Sequence, residues 1–280
     1  MREKTGFNQW KNTQSVINWF KNIKDKKRLR FVQFDICDFY ATISEDLLIE
    51  SLDFASNYVD ISDDEREIII HAKQSILFHK KNPWAKKGDT NFDVGMGSFD
   101  GAETCELVGL FLLSKLNNLN INLGLYRDDG LGVCCLTARQ VEKLKQEMCK
   151  KFKAYNLKIT TDVNHKSVNF LDVTLDLDSG LFKPFTKPNN TIQYVNKNSN
   201  HPPSITRNLP AAVNRRLNII SANEEIFRDA IPPYQKALNE SGHNFNLKFE
   251  PGVGNETKKP NWGEKSPGLI PPFLPMSPPT

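Results

Sequence analysis

Three aspartates carry the chemistry open to this sequence. Asp128 and Asp129 stand side by side in Leu123-Gly124-Leu125-Tyr126-Arg127-Asp128-Asp129-Gly130-Leu131-Gly132-Val133-Cys134-Cys135, and Asp35 lies far upstream in Phe31-Val32-Gln33-Phe34-Asp35-Ile36-Cys37. An Asp pair alone is also what a solvated hairpin tip carries, and Asp63-Asp64 is another such pair. Asp35 changes the weight, because an acid inside an apolar run is costly to bury unless it is paired or holds a metal. Phosphoryl transfer assisted by two divalent ions needs carboxylates gathered around metals about 3.5–4 Å apart. A hard cation such as Mg²⁺ takes oxygen ligands together with substrate phosphates. An acid on one strand beside a hairpin bearing two more meets that need.

The elements that must position these acids follow from the local pattern. Short apolar runs bounded by glycine read as strands, so 123–135 is expected to be a hairpin, with Gly130 supplying the unusual backbone angles of its turn. Phe31–Cys37 reads as a buried strand, followed by Asp38-Phe39-Tyr40 where the chain leaves it. Ser44 is a plausible N-cap for a helix over Asp46–Tyr58, and a second amphipathic helix is expected over Asp63–Phe78. The glycine-rich loop Val94-Gly95-Met96-Gly97-Ser98-Phe99-Asp100-Gly101 then enters an apolar helix from Thr104. It lacks the GxxxxGK[ST] spacing of a Walker motif. Thr137–Tyr155 reads as a charged amphipathic helix, and Leu157–Thr160 and Val168–Leu175 as strands. The second of these continues over Asp178-Ser179-Gly180 as a hairpin. Helices are expected around Asn214–Leu217 and over Glu224–Ala237, and the Pro-rich end beyond Glu250 reads as disordered.

Composition sets the frame. The 280 residues are 39% hydrophobic and 25% charged, with a net charge of +4. That mildly basic balance permits a nucleic-acid partner. Six of the ten residues in Lys21–Arg30 are basic, which reads either as a solvated face or as a phosphate-contacting patch. The five cysteines show no CxxC spacing, so a reducing, intracellular compartment is expected, nuclear or cytoplasmic being left open. No run is long enough to span a membrane, and no membrane partner is expected. His201 has no paired nucleophile, so nothing supports a hydrolase.

Taken in order, these segments resemble the palm of a reverse transcriptase. Phe34-Asp35-Ile36-Cys37-Asp38-Phe39-Tyr40 is similar to the family's first catalytic motif, Gly95-Met96-Gly97-Ser98 to its template- and nucleotide-facing loop, and Tyr126-Arg127-Asp128-Asp129 to its YxDD motif. Downstream, Asn169-Phe170-Leu171-Asp172-Val173, Lys183-Pro184-Phe185-Thr186-Lys187-Pro188 and Ser199-Asn200-His201-Pro202 resemble Penelope-like retroelement reverse transcriptases, so the likeness covers about residues 31 to 220. The resemblance implies an α+β fold with an antiparallel palm sheet, helices on one face, a partial fingers segment and a helical thumb remnant. The expected organisation is a basic fingers segment over 1–30, the palm with a helical insert over 31–180, a palm–thumb junction and thumb remnant over 181–250, and the tail over 251–280.

The resemblance also implies an RNA-directed DNA polymerase acting on an RNA template, a DNA primer and dNTPs, with Mg²⁺ or Mn²⁺ held by Asp35, Asp128 and Asp129. Tyr40 would sit under the nucleotide sugar, with Gly97 and Ser98 at the nucleotide. Lys166 or Lys158 would serve the leaving pyrophosphate, while Tyr126, Arg127, Lys183 and Lys187 would meet nucleic acid. The sequence departs from the family at Arg127, usually a small or apolar residue, and at Ser98-Phe99-Asp100-Gly101, where Ser-Pro-Leu is usual. Only 34 residues precede Asp35, fewer than full fingers need, so a truncated polymerase is expected. The rival readings are an inactive remnant that binds RNA or RNA–DNA hybrid, and a different two-metal enzyme such as a nuclease. The sequence sets no oligomeric state.

Overall fold

A computed structural model of the chain describes residues 1–74, 76–84, 91–119 and 121–252. In chain order the elements are α1 (Arg2–Thr5), β1 (Asn8–Gln9), α2 (Thr13–Asn22), β2 (Arg30–Ile36), α3 (Phe39–Thr42), α4 (Glu45–Ser56), α5 (Asp63–His71), β3 (Leu77–His79), β4 (Asn82–Trp84) and α6 (Gly101–Leu116). Then follow β5 (Asn122–Tyr126), β6 (Asp129–Cys134), α7 (Ala138–Lys153), β7 (Ile159–His165), β8 (Ser167–Phe170), β9 (Val173–Asp176), β10 (Phe182–Pro184), α8 (Pro203–Ile219) and α9 (Glu224–Glu240). Among the described residues no helix is long and apolar enough to cross a membrane. The Pro-rich tail lies, from residue 253 on, outside the described residues.

The central sheet runs β1-β5-β6-β2-β7, antiparallel throughout except where β1 joins β5 in parallel. Alternation along β2 decides which core each residue enters, because successive side chains point to opposite faces. Val32, Phe34 and Ile36 pack with the buried stripes of α4, α6 and α7, and the Phe34 and Phe152 rings lie 5.4 Å apart. Phe31 points the other way and joins Leu131 and Val133 in a second core. That core also takes in Trp10, α2, the small β8–β9–β10 sheet, α8 and α9. The expected sheet with helices on one face is therefore corrected. Both faces are covered, because β2 and β6 carry apolar residues at both parities.

The first thirty residues contribute to the sheet and to the second core. Asn8 and Gln9 pair with Gly124 and Leu125, and Val16, Ile17, Trp19 and Phe20 of α2 are buried in the second core. Asn12 caps α2 by accepting from the Ser15 backbone N–H. Two other helices begin with reciprocal capping boxes, Ser62 with Glu65 on α5 and Thr137 with Gln140 on α7.

Several boundaries differ from the sequence expectation. α5 ends at His71 rather than running to Phe78. Lys73 turns inward, its carbonyl accepts the Asp93 N–H at 2.8 Å, and Gln74 bridges Phe92, so pairing with a distant segment outcompetes helical periodicity. The strand expected over 157–160 starts at Ile159 and runs on to His165, paired along β2. The strand expected over Val168–Leu175 is two antiparallel strands, β8 and β9, because Leu171 takes a left-handed backbone (φ 55°) and reverses the chain. The hairpin over 178–180 and helices near 214–217 and 224–237 are present, with α8 starting directly after Pro202.

Candidate active site

Register brings two of the three acids together. Asp35 on β2 lies directly opposite Asp129 on β6, on the face that carries Phe31, Leu131 and Val133. Thr160 of β7 flanks Asp35 on its other side. The third acid stands in the two-residue turn Arg127-Asp128 between β5 and β6, and the Asp128 carbonyl accepts the Ile36 N–H at 3.0 Å. The turn differs from expectation in its cause. Arg127 takes the left-handed backbone (φ 53°), and Gly130 is not among the positive-φ glycines. Gly130 is needed for space, since a Cβ there would collide with the Phe34 ring.

The acids feel one another. Burial, then Asp128, then Asp38 hold the Asp35 carboxyl above its ordinary range. Burial is also the leading cause at Asp129, followed by the charges of Asp128 and Asp35, and its pKa is pushed up to about 6. The Lys187 ammonium acts in the opposite sense on Asp129. In donor type the set suits a hard divalent cation, whose charge would relieve this repulsion. In geometry it is a cross-strand pair with a third carboxylate in electrostatic reach. Among the described residues no group of three or more His, Cys, Asp or Glu side chains is gathered closely enough to hold a metal ion.

Tyr40 lies on α3, half-buried, with Gly101 beside its ring and the Cys105 thiol near its hydroxyl. Its pKa is raised, first by burial and then by Cys105, while Arg127 opposes the rise. Burial pushes the Cys105 thiol up to about 12, so it stays protonated and offers no nucleophile. Gly97 and Ser98 form an exposed turn in which Gly97 takes φ 91° and the Ser98 N–H donates to the Gly95 carbonyl at 3.0 Å. Behind the turn, Lys73 is buried to 2% exposure and ion-paired with Asp100 at the start of α6. The departure from Ser-Pro-Leu noted in the sequence thus has a structural partner. Nothing in the sequence marks Lys73, because a single lysine after an amphipathic helix reads as a helix end.

The remaining residues divide. Tyr126 closes β5 opposite Asp129, and the exposed Arg127 lies over its ring at 5.6 Å. Lys187 is brought within electrostatic reach of Asp129. Lys183 sits on β10, where it acts on Asp176, away from the acids. Lys166 is not brought to the acids either. It donates to the Lys27 carbonyl and lies 3.5 Å from the Asp178 carboxylate, beyond the end of β7 farthest from Asp35. Lys158 is the lysine near the acid end: its carbonyl accepts the Cys37 N–H at 2.9 Å, two residues before Thr160, and its side chain is exposed. The sequence also missed a polar junction at Asp172, which accepts from Thr13 and from Arg216 and so ties α2, the β8–β9 turn and α8 together.

No family model matches the chain, and no curated protein matches it. Solved structures do. Telomerase from Candida albicans, in complex with a fragment of telomeric RNA, aligns with a TM-score of 0.53 at 10% identity over 86% of this chain and 43% of its own. Apo telomerase from Candida tropicalis aligns with a TM-score of 0.51 at 13% identity over 84% of this chain and 46% of its own. The RNA-dependent RNA polymerase of a human picorbirnavirus gives 0.51 at 12% identity over 86% and 51%. The fold is that of palm-containing nucleic-acid polymerases. The chain spans about half the length, or less, of the polymerases it matches.

Proposed function

We propose that this chain is the catalytic part of an RNA-directed DNA polymerase of the Penelope-like retroelement kind, extending a DNA primer on an RNA template. The observation that carries the reading is the register that sets Asp35 against Asp129, with Asp128 in the adjoining turn, on a sheet of polymerase type. Asp35, Asp128 and Asp129 are the residues to hold Mg²⁺ or Mn²⁺. Bound there, the ions would lower the pKa of the primer 3′-hydroxyl and offset charge on the departing pyrophosphate. Tyr40, fixed between α6 and the hairpin, lies under the sugar of the incoming dNTP, and Gly97 and Ser98 approach it from the loop. Lys158 is better placed than Lys166 to give a proton to pyrophosphate. Tyr126, Arg127 and Lys187 would meet the primer–template, with Lys183 further along its backbone.

Primer extension on polyriboadenylate with Mg²⁺ or Mn²⁺ tests the reading, comparing the chain with Asp128→Asn. Incorporation by the parent, reduced at least about a hundredfold in the variant, is the expected result. A second reading rests on the incomplete gathering of the acids: a chain that binds RNA or hybrid without catalysis. Hybrid binding without incorporation in either protein would establish it and sink the first.

A further inference from the structure

We infer that the β3–β4 ribbon is a docking element for unpaired nucleic acid, whose bases stack on Phe78 and Trp84 while Lys80 and Lys81 meet the phosphates. It shares with the proposed function the premise that the partner is nucleic acid, and assigns a site that the acids do not use.

The two strands form a sheet of their own, with His79 opposite Asn82, so the turn is Lys80-Lys81. Both lysines take left-handed backbone, φ 49° and 67°. Two positive φ angles in succession are what a tight hairpin asks for, and Asn-Gly supplies them with far less strain. Lysines here bear that strain while setting two charges at an exposed tip. Neither makes an ion pair or side-chain hydrogen bond among the described residues. No acid occurs from Lys73 to Trp84.

The rings are as open as the charges. Phe78 is 74% exposed and Trp84 60%. Phe78 pairs with Pro83 and Trp84 with residue 77, which puts the two rings on opposite faces of the ribbon. Neither ring contacts another aromatic among the described residues. A lone two-stranded ribbon is marginal in water, yet this one is anchored at its base. Lys73 is buried against Asp100, the Lys73 carbonyl accepts from Asp93, and Gln74 bridges Phe92. The same ion pair takes in Asp100, two residues past the Gly97-Ser98 turn.

Aromatic faces interleaved with cations are the chemistry of sequence-tolerant single-strand binding. A duplex keeps its bases stacked inside and cannot offer them to Phe78 or Trp84. A second copy would bring Lys80-Lys81 against the same charges if it docked about a two-fold axis.

The test uses the full chain in a Trp262→Phe background, because Trp10 and Trp19 are buried and Trp84 is then the one exposed tryptophan. Titration with a short oligouridylate is expected to quench this emission. Phe78→Ala with Trp84→Ala should weaken oligouridylate binding about tenfold or more and leave a blunt RNA–DNA hybrid bound as before. Lys80→Gln with Lys81→Gln should weaken it and flatten its salt dependence. The altered side chains are exposed, so thermal melting should match the parent. Unquenched emission, or unchanged oligouridylate affinity in the double aromatic variant, would overturn the assignment. So would light scattering showing a parent dimer that becomes monomeric in that variant while oligouridylate affinity holds. Quenching in the parent and weakened oligouridylate binding in the variant, in a chain that incorporates no nucleotide, would uphold the ribbon and defeat the polymerase reading alone.

Discussion

Asp129 sits half-buried against two like charges, and that strain has a sign that can be measured. Its folded-state pKa of about 6 exceeds the ordinary 3.8, so the folded chain holds this proton more tightly than the unfolded chain does. The group therefore favours folding below its ordinary value, loses that contribution as pH rises through 6, and imposes its full penalty at neutral pH. Removing the charge with Asp129→Asn should stabilise the protein at pH 8 by about 1–2 kcal/mol, after allowance for solvent screening at a partly exposed site. The gain should vanish at pH 4 when urea melts are compared. A destabilised variant at pH 8 would show that Asp129 is held by partners rather than strained by neighbours. Gly130 makes a second residue-scale prediction. Its expected part in the turn belongs to Arg127, and its place under the Phe34 ring means that Gly130→Ala should cost about 1–3 kcal/mol by overpacking. Wild-type stability in a chemical denaturation experiment would mean that Phe34 moves aside freely.

Elements with strong local signals were legible in the sequence. The Asp35 strand, the hairpin, α4, α6, α7 and α9 follow from apolar periodicity and caps, and the acids were legible because carboxylates in apolar runs are chemically conspicuous. Elements decided by distant partners were not. α5 stops where Lys73 turns in to Asp100, β8 and β9 separate where Asp172 meets Thr13 and Arg216, and β1 exists because it finds β5 more than a hundred residues away. The Lys73–Asp100 pair carries an element-scale prediction. Asp100→Asn leaves a buried ammonium without its counter-charge and should destabilise by about 3 kcal/mol. Lys73→Met combined with Asp100→Asn should recover most of that loss. Equal thermal stability of Asp100→Asn and the parent would mean that Lys73 leaves the core once unpaired, and the clamp on the glycine loop would have to lie elsewhere.

At the scale of the whole molecule, one sheet separates two cores and bears its acids on the face shared with α2, α8 and α9. The apolar mass on both sides fixes the strands, while the acid pair at the end of β2 and β6 stays unsatisfied electrostatically. The fold holds these like charges together, and a divalent cation should then act as a ligand of the folded state alone. Its stabilisation follows the logarithm of concentration over the dissociation constant, about 2.7 kcal/mol at a hundredfold excess. Mn²⁺ or Mg²⁺ should therefore raise the melting temperature at pH 8, where Asp129 has lost its proton, and raise it less at pH 5, where Asp129 holds it. Asp35→Asn and Asp128→Asn should each blunt the shift at pH 8, whereas the exposed ribbon variants should keep it whole. A parent protein with no cation-dependent shift at either pH would leave the acids as a relic of the fold. Binding without catalysis would then be the better account of the chain.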